Sequence, residues 1–81
     1  MLIWIDCRHQ APPQNEKLLW CWMTRLKDGS WEDGIYGIGI YRFGSVKGSS
    51  LVIPKLSNYV KSEHTRIYWA RFNKPTVNDI A

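Results

Sequence analysis

No apolar run in this chain approaches the ~18–20 residues that cross a membrane as a helix. The opening stretch, MLIWIDCRHQ, lacks the basic start, long apolar region and small-residue cleavage site of a secretory signal. The expectation is a cytoplasmic chain with no membrane partner. Cysteines number two, too few for a disulfide framework, and without an export signal they read as reduced thiols. Basic residues never occur three in a row, and no internal repeat or low-complexity tract is visible. These absences exclude a polybasic tail, a repeat array and a disordered linker.

The scarcity of chemistry-bearing residues is equally informative. Only Cys7, His9, Cys21 and His64 could combine in a zinc site. Structural zinc sites pair their ligands as C-x₂₋₄-C and H-x₃₋₅-H, whereas Cys7-x-His9 has a single intervening residue. The same four residues offer a formal Cys/His nucleophile pair, but Cys21 sits among Trp and Met, where a thiol acts as a small hydrophobe. Asp6, Glu16, Glu32, Asp33 and Glu63 form no recognisable acid/base pair. The expectation is therefore a non-enzyme with no metal and no cofactor.

A glycine-rich stretch, GIYGIGIYRFG (34–44), tests that reading. A dinucleotide fingerprint needs G-x-G-x-x-G between a strand and a helix. Gly37-x-Gly39 is followed by Ile40, Tyr41 and Arg42, so the third glycine is missing. A phosphate loop of the G-x-x-x-x-G-K-[ST] type fails too, with Ile40 and Tyr41 in the Lys and Ser/Thr places. No helix follows to present its N-terminus to a phosphate. The stretch reads as a strand. Alternation places Ile35, Gly37, Gly39, Tyr41 and Phe43 on one face and Tyr36, Ile38, Ile40 and Arg42 on the other. Two glycines on one face imply a need for room, most simply for a Trp ring from a neighbouring strand.

What the chain does have is aromatic residues: five Trp, four Tyr and two Phe in 81 residues. That length makes one domain, 1–81, near the size where burial only just offsets chain entropy. Each buried aromatic removes roughly 150–250 Å² from water, so a few supply most of a small core. The remainder are available for a contact surface, where Trp, Tyr and Arg are enriched. Eleven Lys/Arg against seven Asp/Glu give a net charge of +4, which permits an acidic partner.

Short segments punctuated by turns follow one another. LIWID (2–6) reads as a strand and APPQN (11–15) as a Pro-rich connection. KLLWCWMTR (17–25) alternates, with Leu18, Trp20 and Trp22 on one face and Leu19, Cys21 and Met23 on the other. Both faces are apolar, so a central strand covered on two sides is expected. Asp28-Gly29 and Asp33-Gly34 favour a hairpin into the glycine-rich strand, with Trp31 near its start. GSVKGSS (44–50) reads as a loop, and LVI (51–53) as a short strand stopped by Pro54. In KLSNYVKSEH (55–64), Leu56, Tyr59 and Val60 have helical spacing. RIYWARF (66–72) alternates again, with Ile67 and Trp69 opposite Tyr68, Ala70 and Phe72. Residues 73–81 read as a flexible tail. The fold class is mainly β, or α+β if the helix forms. It is a small antiparallel sheet or partly open barrel of four to five strands with at most one short helix.

Trp4-Ile5 at the start, Pro12 or Pro13 before KLLWCW, Gly34-Ile35-Tyr36 in the middle and RIYWARFNKP near the end, with Trp69 and Pro75 as the matching positions, form a pattern. It resembles a family of short phage and prophage proteins classed as a domain of unknown function. Its members start with Trp-Ile, then a Pro and an apolar strand, and end in a Thr-His-Trp-Met-Pro-Leu-Pro pattern. Here Tyr68 stands in place of the His, and Ala70-Arg71-Phe72 in place of Met-Pro-Leu. The resemblance implies a phage gene product that binds and modulates a host protein or nucleoprotein complex in a bacterial cytoplasm, with counter-defence inhibition as one form of that role. The residues expected at the contact are Trp31, Tyr36, Tyr41, Arg42, Tyr68 and Arg71, with Trp4, Trp20, Trp22 and Trp69 as core. The alternative is a single-stranded nucleic-acid binder using an aromatic and basic sheet face. Pairing of two copies through an open sheet edge is a further option.

Overall fold

The computed structural model describes residues 2–32, 34–49 and 51–72. Six strands form one open antiparallel sheet: β1 (Ile5–Asp6), β2 (Lys17–Thr24), β3 (Ile35–Arg42), β4 (Ser45–Lys47), β5 (Val52–Ile53) and β6 (Thr65–Ala70). Their spatial order is β1-β6-β2-β3-β4-β5. From β2 to β5 the chain is a meander. It then crosses one face through the helix α1 (Leu56–Val60), and β6 inserts between β1 and β2. The mainly β class and the short helix agree with the sequence reading, and the strand count is one above the expected range. The expected flexible tail falls on residues 73–81, outside the described residues.

Strand β2 is the centre, as its alternation predicts. Trp20 pairs with Gly37 on one side and with Trp69 on the other. The even positions of β2 face the core with Ile67 and Trp69 of β6, Val46 of β4 and Ile53 of β5. Trp20 and Trp69 are wholly buried. A buried indole N–H needs an acceptor, and both have one. Trp20 Nε1–H donates to the Gly39 carbonyl at 3.1 Å and Trp69 Nε1–H to the Gln10 carbonyl at 3.0 Å.

The helix is five residues long and has no side-chain N-cap, far below the ~12–15 residues needed to stand alone. Tertiary contacts hold it. Leu56 N–H donates to the Gly44 carbonyl, and Leu56 is buried. Tyr59 meets Trp22 edge-on at 4.8 Å between ring centroids. Tyr59 and Val60 pack on the core cluster beside Leu56, so the helical spacing of these three residues has its physical cause here.

Two expectations about the sheet change. Residues 45–47, read as loop, form β4, because Val46 is buried against the core and pairs with both Tyr41 and Ile53. At the other end, only Ile5–Asp6 of the 2–6 segment pairs in the sheet. The glycine reading is refined as well. Trp20 does reach across β3, yet a Cβ at Gly37 would lie 2.8 Å from Leu51 Cβ, and one at Gly39 would lie 3.0 Å from Val46 Cγ1. The room these glycines make is filled by aliphatic side chains of β4 and the loop after it.

A candidate ligand surface on the open sheet face

Alternation sends the odd residues of β2 to the face away from α1. Leu19, Cys21 and Met23 point there, with Tyr36, Ile38 and Ile40 of β3 and Tyr68 and Ala70 of β6 beside them. Among the described residues no helix lies on this face. Among the described residues β2 is therefore covered on one side, against the expectation of two. One five-residue helix can cover only one side, and the sheet spends it on the Trp20 face.

Trp4 is the largest departure from the sequence reading. Expected in the core, it is 38% exposed. Its indole approaches the Tyr36 ring, with centroids 6.1 Å apart and planes at 59°. The small Cys21 lies between the larger side chains. Trp4, Cys21, Met23, Tyr36 and Tyr68 line a cleft of about 200 Å³. Tyr36 is 63% exposed and Ile38 is exposed beside it, which makes an apolar, ring-lined patch on an open sheet.

The charge on this face is nearly all of one sign. Strand positions supply Lys17, Arg42, Lys47 and Arg66. Against them stands Asp6 of β1, which pairs with Arg8 at 3.1 Å. Burial raises the Asp6 carboxyl, but the side-chain and backbone hydrogen bonds from Arg8, with its charge, outweigh this and hold it below the usual range. Asp6 is thus already matched within the chain. Arg42 Nε–H donates to Asn15 Oδ1 at 2.6 Å, which fixes the guanidinium at the β3 end.

Rings accompany the cations at both ends. Trp31 bridges to Arg25 just beyond β2. Arg66 lies over its ring at 4.7 Å and Arg25 at 6.0 Å, both within cation–π reach. At the opposite end the β3–β4 turn carries Phe43, which is 91% exposed. Ile40, Arg42, Phe43, Ser45 and Lys47 line a shallow cleft of about 420 Å³.

Of the six residues expected at a contact, Tyr36, Tyr68, Arg42 and Trp31 come to this face or its ends. Two do not. Tyr41 turns to the opposite side, where it packs against the core cluster and lines a cleft with Cys7, Pro12 and Leu56. Arg71 stacks on the Trp69 ring at 5.3 Å and pairs with Glu16 at 3.1 Å. Both follow from parity, since Tyr41 shares its face with Gly37 and Gly39, and Arg71 shares its face with Trp69. Trp4, expected in the core, and Phe43, expected on the Tyr41 face of the strand, instead line the open face and its end. Phe43 carried a usable signal, an aromatic residue immediately before a turn glycine and between basic positions.

The two thiols lie on opposite faces. Cys7 belongs to the core, where burial and the neighbouring Asp6 charge push it up to about 12. Cys21 is also raised by burial, partly offset by a hydrogen bond with Tyr36. In both, burial favours the neutral thiol over the nucleophilic thiolate. His9 and His64 are exposed. Among the described residues no group of three or more His, Cys, Asp or Glu side chains is placed to hold a metal ion, and no helix is long and apolar enough to cross a membrane.

Comparison with known proteins adds no assignment: no family model, no curated protein and no solved structure matches this chain.

Proposed function

We propose that this protein is a non-enzymatic binding module whose open sheet face takes single-stranded nucleic acid, free or exposed within a nucleoprotein complex. In the phage setting that the resemblance implies, the proposed target is a host complex, and occupation of its strand is the means of modulation.

One arrangement carries this reading. Rings share one face with cations that form no ion pair among the described residues: the exposed Trp4 and Tyr36 and the half-buried Tyr68 lie in the middle, with Lys17, Arg42, Lys47 and Arg66 around them. Single-strand binders combine stacking rings with a cationic track, because every base has a π-face and every linkage a charge. The sign of the charge also disfavours a second copy docked face to face, since that would oppose two cationic rims. The free sheet edges, β1 and β5, have two residues each. Edges that short are poor templates for strand pairing.

A second reading has its own observation. Leu19, Met23, Ile38 and Ile40 give the face an aliphatic character, which suits an acidic protein segment with apolar anchors. The two readings separate in one titration of a fluorescein-labelled 20-nucleotide oligothymidylate, followed by anisotropy. If five cations, Lys17, Arg25, Arg42, Lys47 and Arg66, each neutralise one phosphate, log K falls against log salt with a slope of about −3.5. Affinity then drops roughly 100-fold between 50 and 200 mM salt. Absence of binding at 50 mM salt, or a slope near zero, sinks the nucleic-acid reading and leaves the acidic protein segment.

A further inference from the structure

We infer that the bound strand is extended and unstacked, covers five to six nucleotides, and is clamped at two stations where a ring sits beside two cations. One station is Trp31 with Arg25 and Arg66. The other is Phe43 with Arg42 and Lys47. This footprint rests on the nucleic-acid reading and adds its length, its path and its anchors.

The distance between the stations comes from the register. Arg25 lies eight residues from Lys17 along β2 and its extension; Lys17 pairs with Ile40, and Arg42 is two residues further along β3. Ten residues of antiparallel strand span about 34 Å. A strand unstacked to about twice the 3.4 Å rise of a duplex strand crosses that distance in five to six nucleotides. A duplex keeps its bases stacked on each other and out of reach of the rings, so the same geometry selects for single strands. Midway, the Trp4–Tyr36 pair over Cys21 offers a third stacking surface.

Phe43 is the most telling anchor because its ring is 91% exposed and so buries almost nothing in the fold. The turn between Arg42 and Ser45 has φ 53° at Phe43 and 77° at Gly44. Two positive φ values define the tight hairpin turn that favours Asn-Gly. A Phe in left-handed backbone is disfavoured, and so is an exposed phenyl ring, yet both occur at this one residue. Arg42, fixed by Asn15, and Lys47 flank it over a shallow cleft. A ring held out at a hairpin tip beside two cations suits a base with its adjoining phosphates. At the far station Arg66 has its Nε buried, with no hydrogen-bond partner among the described residues, and its guanidinium lies on Trp31. That stack presents a cationic π surface of the kind that receives bases.

The test is a length series of oligothymidylates, from two to twelve nucleotides, titrated at 50 mM salt against the wild type and Phe43→Asn. Affinity should climb steeply to five or six nucleotides and then flatten. Phe43→Asn should bind the eight-nucleotide probe roughly tenfold more weakly, while its melting temperature stays level or rises. The 20-nucleotide probe separates the two levels of the proposal. If it binds the wild type but the series flattens by three nucleotides or climbs beyond ten, the footprint is overturned and the reading stands. The anchor is overturned if Phe43→Asn leaves affinity unchanged or lowers the melting temperature. If the 20-nucleotide probe does not bind at all, the reading and the footprint both fall.

Discussion

Gly37→Ala sets two local effects against each other, and the structure says which wins. Replacing a strand glycine normally helps, since glycine costs roughly 0.5–1 kcal/mol in chain entropy relative to Ala. Here the new Cβ would sit 2.8 Å from Leu51 Cβ. Leu51 is buried, and its Cβ is bonded directly to the backbone, so no rotamer change can move it away. Relief requires a shift of the chain between β4 and β5, where the Gly48 N–H to Leu51 carbonyl bond is made. Overpacking of this kind costs about 1–3 kcal/mol, which leaves a net loss of about 1 kcal/mol and lowers Tm by about 4–8 °C in a domain of this size. Thermal unfolding followed by far-UV circular dichroism measures it, with Gly37→Val expected to lose more. A Gly37→Ala variant as stable as the wild type, or more stable, would refute the packing account of the glycine-rich strand.

Three further outcomes follow from the same structure. Trp20→Phe leaves the buried Gly39 carbonyl without its donor and opens a small cavity, so it should cost about 2–4 kcal/mol in denaturant unfolding. Trp4→Phe, on the open face, should cost less than about 1 kcal/mol; a loss equal to that of Trp20→Phe would return Trp4 to the core. The Cys7 thiol, raised to about 12 by burial, gives stability that is full below the unfolded value near 9 and is lost as pH rises through the folded one. Between pH 9 and 12 it should weaken the fold by about 1.4 kcal/mol per pH unit, and Cys7→Ala should remove that part of the slope; an unchanged slope in the variant contradicts the assignment.

Period-two alternation made much of this fold readable. Strands β2, β3 and β6 and the sorting of their residues onto two faces followed from it; the Asp28-Gly29 turn followed from its dipeptide, and it closes as expected with Ser30 bonded to Asp28. Alternation says which residues share a face. It does not say whether anything lies on that face. Leu18, Trp20 and Trp22 look no different in sequence from Leu19, Cys21 and Met23, and only the crossover through α1 distinguishes them. The same gap explains why Tyr36 and Tyr41 were both expected at a contact although alternation puts them on opposite faces: only the packing of Tyr41 against the core shows which face is covered. Strand β4 was hidden because its lone apolar residue, Val46, sits among Gly, Ser and Lys. Its pairing comes from tertiary burial and not from local propensity.

On the proposed function, the open face, and not the α1 side, is the binding surface. The most direct measurement is a ¹H–¹⁵N correlation spectrum of the protein titrated with a six-nucleotide oligothymidylate. Shifts should gather on Trp31, Tyr36, Ile38, Arg42, Phe43 and Tyr68 and on the Trp4 indole N–H. The Trp20 and Trp69 indole signals, bonded to Gly39 and Gln10, should stay in place. Shifts concentrated on Leu56, Tyr59 and Val60, or none on the open face at saturation, would contradict it.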